Sequence, residues 1–243
     1  MTCINVRLAA MMLLLASAPT LAGQPRVAII IDDLGYQFEA GRRAIELPGP
    51  VTFAVLPGTP RGADLAEWAH RRGKEVLLHL PLQANGADPE NEPIGIDLDM
   101  NREALASTFE TALSSVPYVI GVNGHRGSLL TRHPGHMLWL MQEIRARNDL
   151  FFVDSYTTAH SVALQMATEA GVSAVRRDVF LDPDQSPETV MRQFERMKRL
   201  ARKRGFVVAI GHPYESTLRF LEAELPKLGE EGIKLVTISE LIE

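Results

Sequence analysis

Three histidines and three aspartates occupy the same kind of position in this chain, at the downstream end of a short apolar run. Residues 27–31 lead into Asp32 and Asp33, and residues 76–78 into His79. Residues 119–122 lead into Asn123 and His125, residues 150–153 into Asp154, and residues 207–211 into His212. Imidazoles and carboxylates ligate divalent cations and move protons near neutral pH. Gathered in one pocket, they can carry out metal-assisted or acid/base hydrolysis. Singly, each has a plainer explanation. A histidine after an apolar run is usually a hydrogen-bonded core residue, and an Asp-Asp pair is usually a turn or a helix cap. The recurrence points to a site.

Successive side chains of an extended segment point to opposite faces. Asp32 and Asp33 are therefore expected to do different jobs, one binding a metal and its neighbour contacting the water held there. Gly121, Gly124 and Gly127 flank Asn123, His125, Arg126 and Ser128, and are expected to bend the backbone and leave room for a ligand. The other four histidines look different. His70 lies in a charged helix, His133 and His136 flank a helix start, and His160 follows a turn, which assigns them surface or capping roles.

The elements that must position these groups alternate. Strands are expected near 26–31, 51–56, 75–79, 119–123, 150–154, 173–177, 206–211 and 233–237, with amphipathic helices between them. The clearest helix is 187–204, with Ser186 as N-cap, Pro187 at the first position and Gly205 as the stop. Others are expected from Asn101 toward Ser114 and over 134–147. Alternating βα units argue for a parallel sheet, whose downstream strand ends share one face. Seven or eight such units in 243 residues favour a closed or nearly closed barrel over an open sheet. Residues 84–99 break any regular element and form a candidate substrate rim, or else a tolerated insertion. No glycine-rich nucleotide loop follows the first strand, because Asp32 and Asp33 stand where phosphate would need backbone N–H groups.

Bulk properties narrow the field. The formal net charge is −5, which gives nucleic-acid binding no support. The single cysteine, Cys3, lies within the stretch that reads as a cleaved signal, so the mature chain is expected to hold no disulfide and no thiolate metal ligand, and any metal must be held by His, Asp or Glu. Arg7, the apolar stretch 8–18 and small residues up to Gly23 read as a secretory signal over 1–22, cleaved after Ala22 or Ala18. An uncleaved anchor is the alternative, although the stretch falls short of the ~20 apolar residues a span needs. This predicts a barrel domain over 23–243, exported across the inner membrane to the periplasm, with no stable membrane span after cleavage.

Six ordered motifs carry a resemblance across essentially the whole mature chain: residues 31–35 (Ile-Asp-Asp-Leu-Gly), 79–81 (His-Leu-Pro), 123–128 (Asn-Gly-His-Arg-Gly-Ser), 152–155 (Phe-Val-Asp-Ser), 177–182 (Arg-Asp-Val-Phe-Leu-Asp) and 210–213 (Ile-Gly-His-Pro). Together they resemble the divergent polysaccharide deacetylase family, related to the carbohydrate esterase family 4 deacetylases. The resemblance implies a distorted (β/α) barrel of seven to eight parallel strands, of glycoside hydrolase/deacetylase type, and a divalent metal, often zinc. It implies that Asp33 is a metal ligand, Asp32 the base and His212 the acid. The chain departs from the wider pattern in the middle, where two histidines normally come from one His-x-x-x-His turn. Here Gln83 follows His79 by four and Leu129 follows His125 by four, and the Arg-x-x-Tyr-like motif is absent. His79 and His125, from different strands, are expected to join Asp33 instead. One carboxylate and two imidazoles suit zinc and leave positions open. Asp154 or Asp178 is expected to orient His212, Arg177 to pair with an inward Asp178, and Asn123, Arg126 and Ser128 to orient ligands or substrate.

The function implied is removal of N-acetyl or O-acetyl groups from a polysaccharide such as peptidoglycan. The rival is a catalytically silent barrel that binds glycan or envelope partners. A third reading is another metal hydrolase, an amidase or phosphodiesterase, for which Arg126 is the one obvious extra cation.

Overall fold

The computed structural model describes residues 23–86, 94–147 and 149–242. The secretory-signal reading falls on residues 1–22, outside the described residues, as does the middle of the 84–99 loop.

The described strands are β1 (Arg26–Leu34), β2 (Thr52–Val55), β3 (Val76–Leu82), β4 (Val119–Arg126), β5 (Phe151–Asp154), β6 (Ala174–Arg176), β7 (Val179–Phe180), β8 (Phe206–Gly211) and β9 (Lys234–Val236). The helices are α1 (Phe38–Ile45), α2 (Gly62–Arg71), α3 (Arg102–Ser114), α4 (Pro134–Arg145), α5 (Ala163–Ala170), α6 (Pro187–Arg204) and α7 (Glu215–Glu224). All strand pairs are parallel, in the order β6-β5-β4-β3-β2-β1-β8-β7. β9 shares an edge of β1, pairing its first three residues while β2 pairs its last. Every expected strand is present. The additional one, β7, is two residues long and carries no periodic signal.

The barrel is distorted where it closes. β6 pairs with β5 and β7 with β8, and the two residues between them make the crossing. The Arg177 N–H donates to the Asp154 carbonyl at 2.9 Å, and the Asp178 N–H donates to the Val208 carbonyl at 2.8 Å. The gap is therefore spanned by the chain itself rather than by a ladder.

Local chemistry sets the helix ends. Ser186 Oγ accepts from the Thr189 N–H, Pro187 opens α6, and Gly205 closes it at φ +87°, where a side chain would be strained. Asn101 Oδ1 accepts from the Ala104 N–H at 2.9 Å at the start of α3.

Alternation along the strands divides the core in two. Ala28, Ile30, Ala54, Leu77, Phe151, Val153, Val208, Ile210, Val236 and Ile238 form a buried cluster that fills the barrel. Their strand neighbours, such as Ile29, Ile31, Leu78, Val122, Phe152 and Ala209, belong to the larger layer beneath the helices. Each fully buried aliphatic or Phe side chain contributes roughly 1.5–3 kcal/mol. Continued two residues further, the inward rows reach Asp32 from Ile30, His79 from Leu77, and His212 from Ile210. An apolar plug thus carries a polar layer at the downstream mouth.

Candidate metal centre

His79 and Asn123 are register partners on β3 and β4, and His125 lies two residues further along β4, opposite Pro81. Their side chains therefore share the inner face. Asp33 reaches the same place by a different route. Between Ile31↔Phe53 and Leu34↔Val55, β1 carries one residue more than β2, and Asp33 sits at φ +60°. This bulge breaks the alternation, so both carboxylates turn toward His79, contrary to the expectation that they point apart. Asp is among the few non-glycine residues that tolerate a left-handed backbone.

Asp33 Oδ1 lies 3.0 Å from His79 Nε2 and 3.0 Å from His125 Nδ1, and the two nitrogens are 3.1 Å apart. These three residues form the group among those described that could hold a metal ion. Donors about 2.0–2.1 Å from a tetrahedral zinc stand about 3.3 Å from one another, so the triangle needs little adjustment. Asp33 Oδ1 is buried yet has no hydrogen-bond partner, a pattern that a shared cation completes. Burial pushes the Asp33 carboxyl up, but the close imidazoles of His125 and His79 outweigh it and hold Asp33 well below the ordinary carboxylate range. Burial also opposes charge on His79, yet Asp32 and Asp33 push its pKa up to about 9.

Asn123 locks the neighbours in place. Its Nδ2 donates to Asp32 Oδ1 at 2.8 Å, and its Oδ1 lies 2.9 Å from His79 Nδ1. Asp32 Oδ2 is 3.7 Å from His79 Nε2. Burial raises the Asp32 pKa, outweighing the attraction of His79 and His212. Asp32 is thus a buried carboxylate poised to take a proton, at the His79 corner of the triangle.

His212 stands at the Asp33 corner, with Nε2 3.8 Å from Asp33 Oδ2. Its orienting partner is Asp182, not Asp154 or Asp178. Asp182 Oδ1 lies 2.9 Å from His212 Nδ1, while Oδ2 accepts from the His212 N–H and from Thr217 Oγ1, both at 2.7 Å. Burial depresses the His212 pKa, but the hydrogen bond and charge of Asp182, with Asp32 and Asp33, raise it overall.

The remaining expected residues serve the frame. Asp154 follows the outward row of Phe152 and accepts from the Tyr156 N–H and Ser161 Oγ at 2.8 and 2.9 Å, shaping the loop before α5. Asp178 binds Arg204 and the Val208 N–H. Arg177 does not pair with it. Instead it donates to the Ser155 and Tyr156 carbonyls at 2.6 and 2.9 Å and lies over the Phe180 ring. Ser128 Oγ accepts from the Asn85 N–H at 3.1 Å, tying the post-β3 loop to β4. Arg126 is exposed, at φ +57°, and its carbonyl accepts from Thr157 Oγ1. The space at Gly121 is taken by the Phe151 ring and that at Gly124 by Leu82, not by a ligand. Asp182 closes the 177–182 motif but ends no periodic run, so spacing assigns it no role.

A parallel barrel with an Asp-His-His cluster and two flanking acid/base groups at its mouth defines the class of a deacetylase-type barrel. The divergent polysaccharide deacetylase model matches residues 29–242, and the chain belongs to that family. It is 36% identical over 230 residues to the uncharacterised protein YibQ of Escherichia coli strain K12, covering 95% of this chain and 70% of that protein. The crystal structure of the uncharacterised protein ATU2773 from Agrobacterium tumefaciens C58 superposes with a TM-score of 0.86 at 22% identity, covering 90% of this chain and 89% of the other. The peptidoglycan deacetylase PdaC of Bacillus subtilis shares the fold with a TM-score of 0.53 at 15% identity, covering 90% and 91%.

Proposed function

We propose that this protein is a metal-dependent hydrolase that removes N-acetyl, or O-acetyl, groups from an extracytoplasmic polysaccharide, with peptidoglycan the leading substrate. The mutual approach of Asp33 Oδ1, His79 Nε2 and His125 Nδ1 to 3.0–3.1 Å carries this reading. These three would hold the ion, and zinc suits a donor set without thiolate. A bound divalent ion supplies Lewis-acid polarisation of the acyl carbonyl and a water that ionises near neutral pH. Asp32 takes the proton of the attacking water. Asn123 keeps Asp32 oriented and holds the His79 ring in the tautomer with a lone pair on Nε2. His212 gives a proton to the departing amine, and Asp182 supports the imidazolium. Acid and base stand at different corners of the ligand triangle, an arrangement that suits a hydrolysis with two proton transfers.

The complete set of ligand, acid and base groups favours hydrolysis over a silent glycan-binding barrel. Family membership and the peptidoglycan deacetylases among the fold neighbours support a glycan substrate. The periplasmic location rests on the sequence of residues 1–22. Among the described residues no helix is long and apolar enough to cross a membrane.

The test is metal analysis combined with acetate release from chitin oligosaccharides and peptidoglycan. Wild type is expected to bind one equivalent of metal and release acetate, while His79→Ala and His125→Ala lose both. Full occupancy in both variants would reject the ligand set. Persistent inactivity of the loaded protein across several acetylated glycans would reject the reaction. Asp32→Asn is expected to keep the metal and lose turnover.

A further inference from the structure

His212, Pro213 and Tyr214 carry the chain from β8 into α7. Pro213 fixes its own φ and biases His212 toward an extended backbone, and Tyr214 is extended at φ −74°, ψ 146°. Side chains two apart in an extended segment return to the same face. Accordingly the His212 and Tyr214 rings stack, with centroids 5.4 Å apart and planes 30° from parallel. Phe180 meets the imidazole in a T-shaped contact, also at 5.4 Å, and Asp182 occupies Nδ1. This leaves Nε2, on the Asp33 side, as the working edge of the ring.

Tyr214 is half-buried, and its phenol oxygen makes no hydrogen bond among the described residues. Burial, then the charges of Asp33 and Asp182, raise its pKa, so the phenol remains a donor beside the stacked His212 ring. An aromatic face ending in a hydroxyl matches a pyranose ring, which offers both C–H faces and hydrogen-bonding groups.

We propose that Tyr214 is a substrate-contacting residue on the acid side of the site. Its ring covers one face of His212 and its hydroxyl donates to the N-acetylated sugar beside the leaving nitrogen. This rests on the deacetylase reading above and adds a subsite to it.

The experiment compares wild type, Tyr214→Phe and Tyr214→Ala, metal-loaded, by steady-state kinetics on chitin oligosaccharides across pH and by calorimetric titration with the same oligosaccharides. Tyr214→Phe keeps the stack and loses the hydroxyl. It should raise KM and weaken oligosaccharide binding about tenfold with kcat nearly unchanged, as expected when a contact is equally strong in ground and transition states. Tyr214→Ala also uncovers His212. It should lower kcat and move the alkaline limb of the kcat profile to higher pH, since better solvation favours the imidazolium. A Tyr214→Phe protein that matches wild type in KM and oligosaccharide affinity overturns the proposal. So does a Tyr214→Ala protein altered only in melting temperature. An inactive wild type would overturn the deacetylase reading instead, and the titration would still decide whether Tyr214 contacts the sugar.

Discussion

The carboxamide oxygen of Asn123 lies 2.9 Å from Nδ1 of His79. The amide nitrogen is committed to Asp32 at 2.8 Å, so the oxygen must face the imidazole and can only accept from it. His79 therefore carries its proton on Nδ1 when neutral, and Nε2 presents a lone pair to the cluster. One uncharged side chain thus fixes the tautomer of a candidate ligand and the orientation of the candidate base.

Removing that group should be felt at both. Asn123→Ala leaves the His79 N–H and an Asp32 oxygen unpaired in a fully buried position. Loss of a partner that orients a ligand typically costs 10–100-fold in metal affinity. Competition with a fluorescent zinc chelator should show a loss of about that size. Unchanged affinity would remove Asn123 from the account.

The His79 pKa sets a pH signature. In the metal-free protein it is raised to about 9, above the unfolded value of about 6.5. The sign follows from linkage. This group's contribution to metal-free stability is fully present below about pH 6.5 and is lost as pH rises through about 9. A metal ion needs the neutral ring, so binding releases a proton, and affinity climbs with pH up to about 9. The melting-temperature gap between zinc-loaded and EDTA-treated protein should therefore widen from pH 6 to pH 9. A gap that is constant over this range would contradict the ligand role of His79.

Asp182 makes three hydrogen bonds, two to His212 and one to Thr217. Asp182→Asn keeps the shape but removes the charge that supports the imidazolium. General acid catalysis is worth about 10²–10⁴-fold, and a substantial part of this should be lost from kcat, with metal occupancy unchanged. The ratio of turnover to bound metal checks it. Loss of metal along with activity would show that Asp182 acts on the whole cluster instead.

The barrel was legible because its strands alternate with helices and because each inward row ends in a polar residue. The same alternation, carried one step further, would have sorted Asp154 from Asp32 and His212. Asp154 follows Phe152 on the outer face, whereas Asp32 and His212 follow Ile30 and Ile210 inside the barrel. Asp33 could not be placed by alternation, since its inward turn depends on a bulge and a left-handed backbone. Asp182 was hidden for a different reason. It lies just beyond the two-residue strand β7 and meets His212 only through pairing with β8, a long-range contact that leaves no local period. The helix 187–204 is legible to its last residue, because Ser186, Pro187 and Gly205 each act locally at its ends.

The polar layer also depends on what lies beneath it. Gly121 precedes Asn123 by two on the inner face of β4 and pairs with Phe151 on β5. A Cβ at Gly121 would lie 2.5–2.7 Å from three atoms of the Phe151 ring, far inside van der Waals contact. Phe151 belongs to the cluster that fills the barrel, so the ring cannot move without displacing its neighbours. Overpacking a filled core typically costs about 1–3 kcal/mol. Gly121→Ala should lower the urea midpoint by a corresponding amount. Because the displaced ring sits one inward step below Asn123, metal affinity should fall as well. The pair Gly121→Ala/Phe151→Leu, which makes room for the added methyl, should recover most of both. If the single variant were as stable as wild type, the interior would be looser than these contacts imply, and the apolar plug would not be what holds the ligand strands in register.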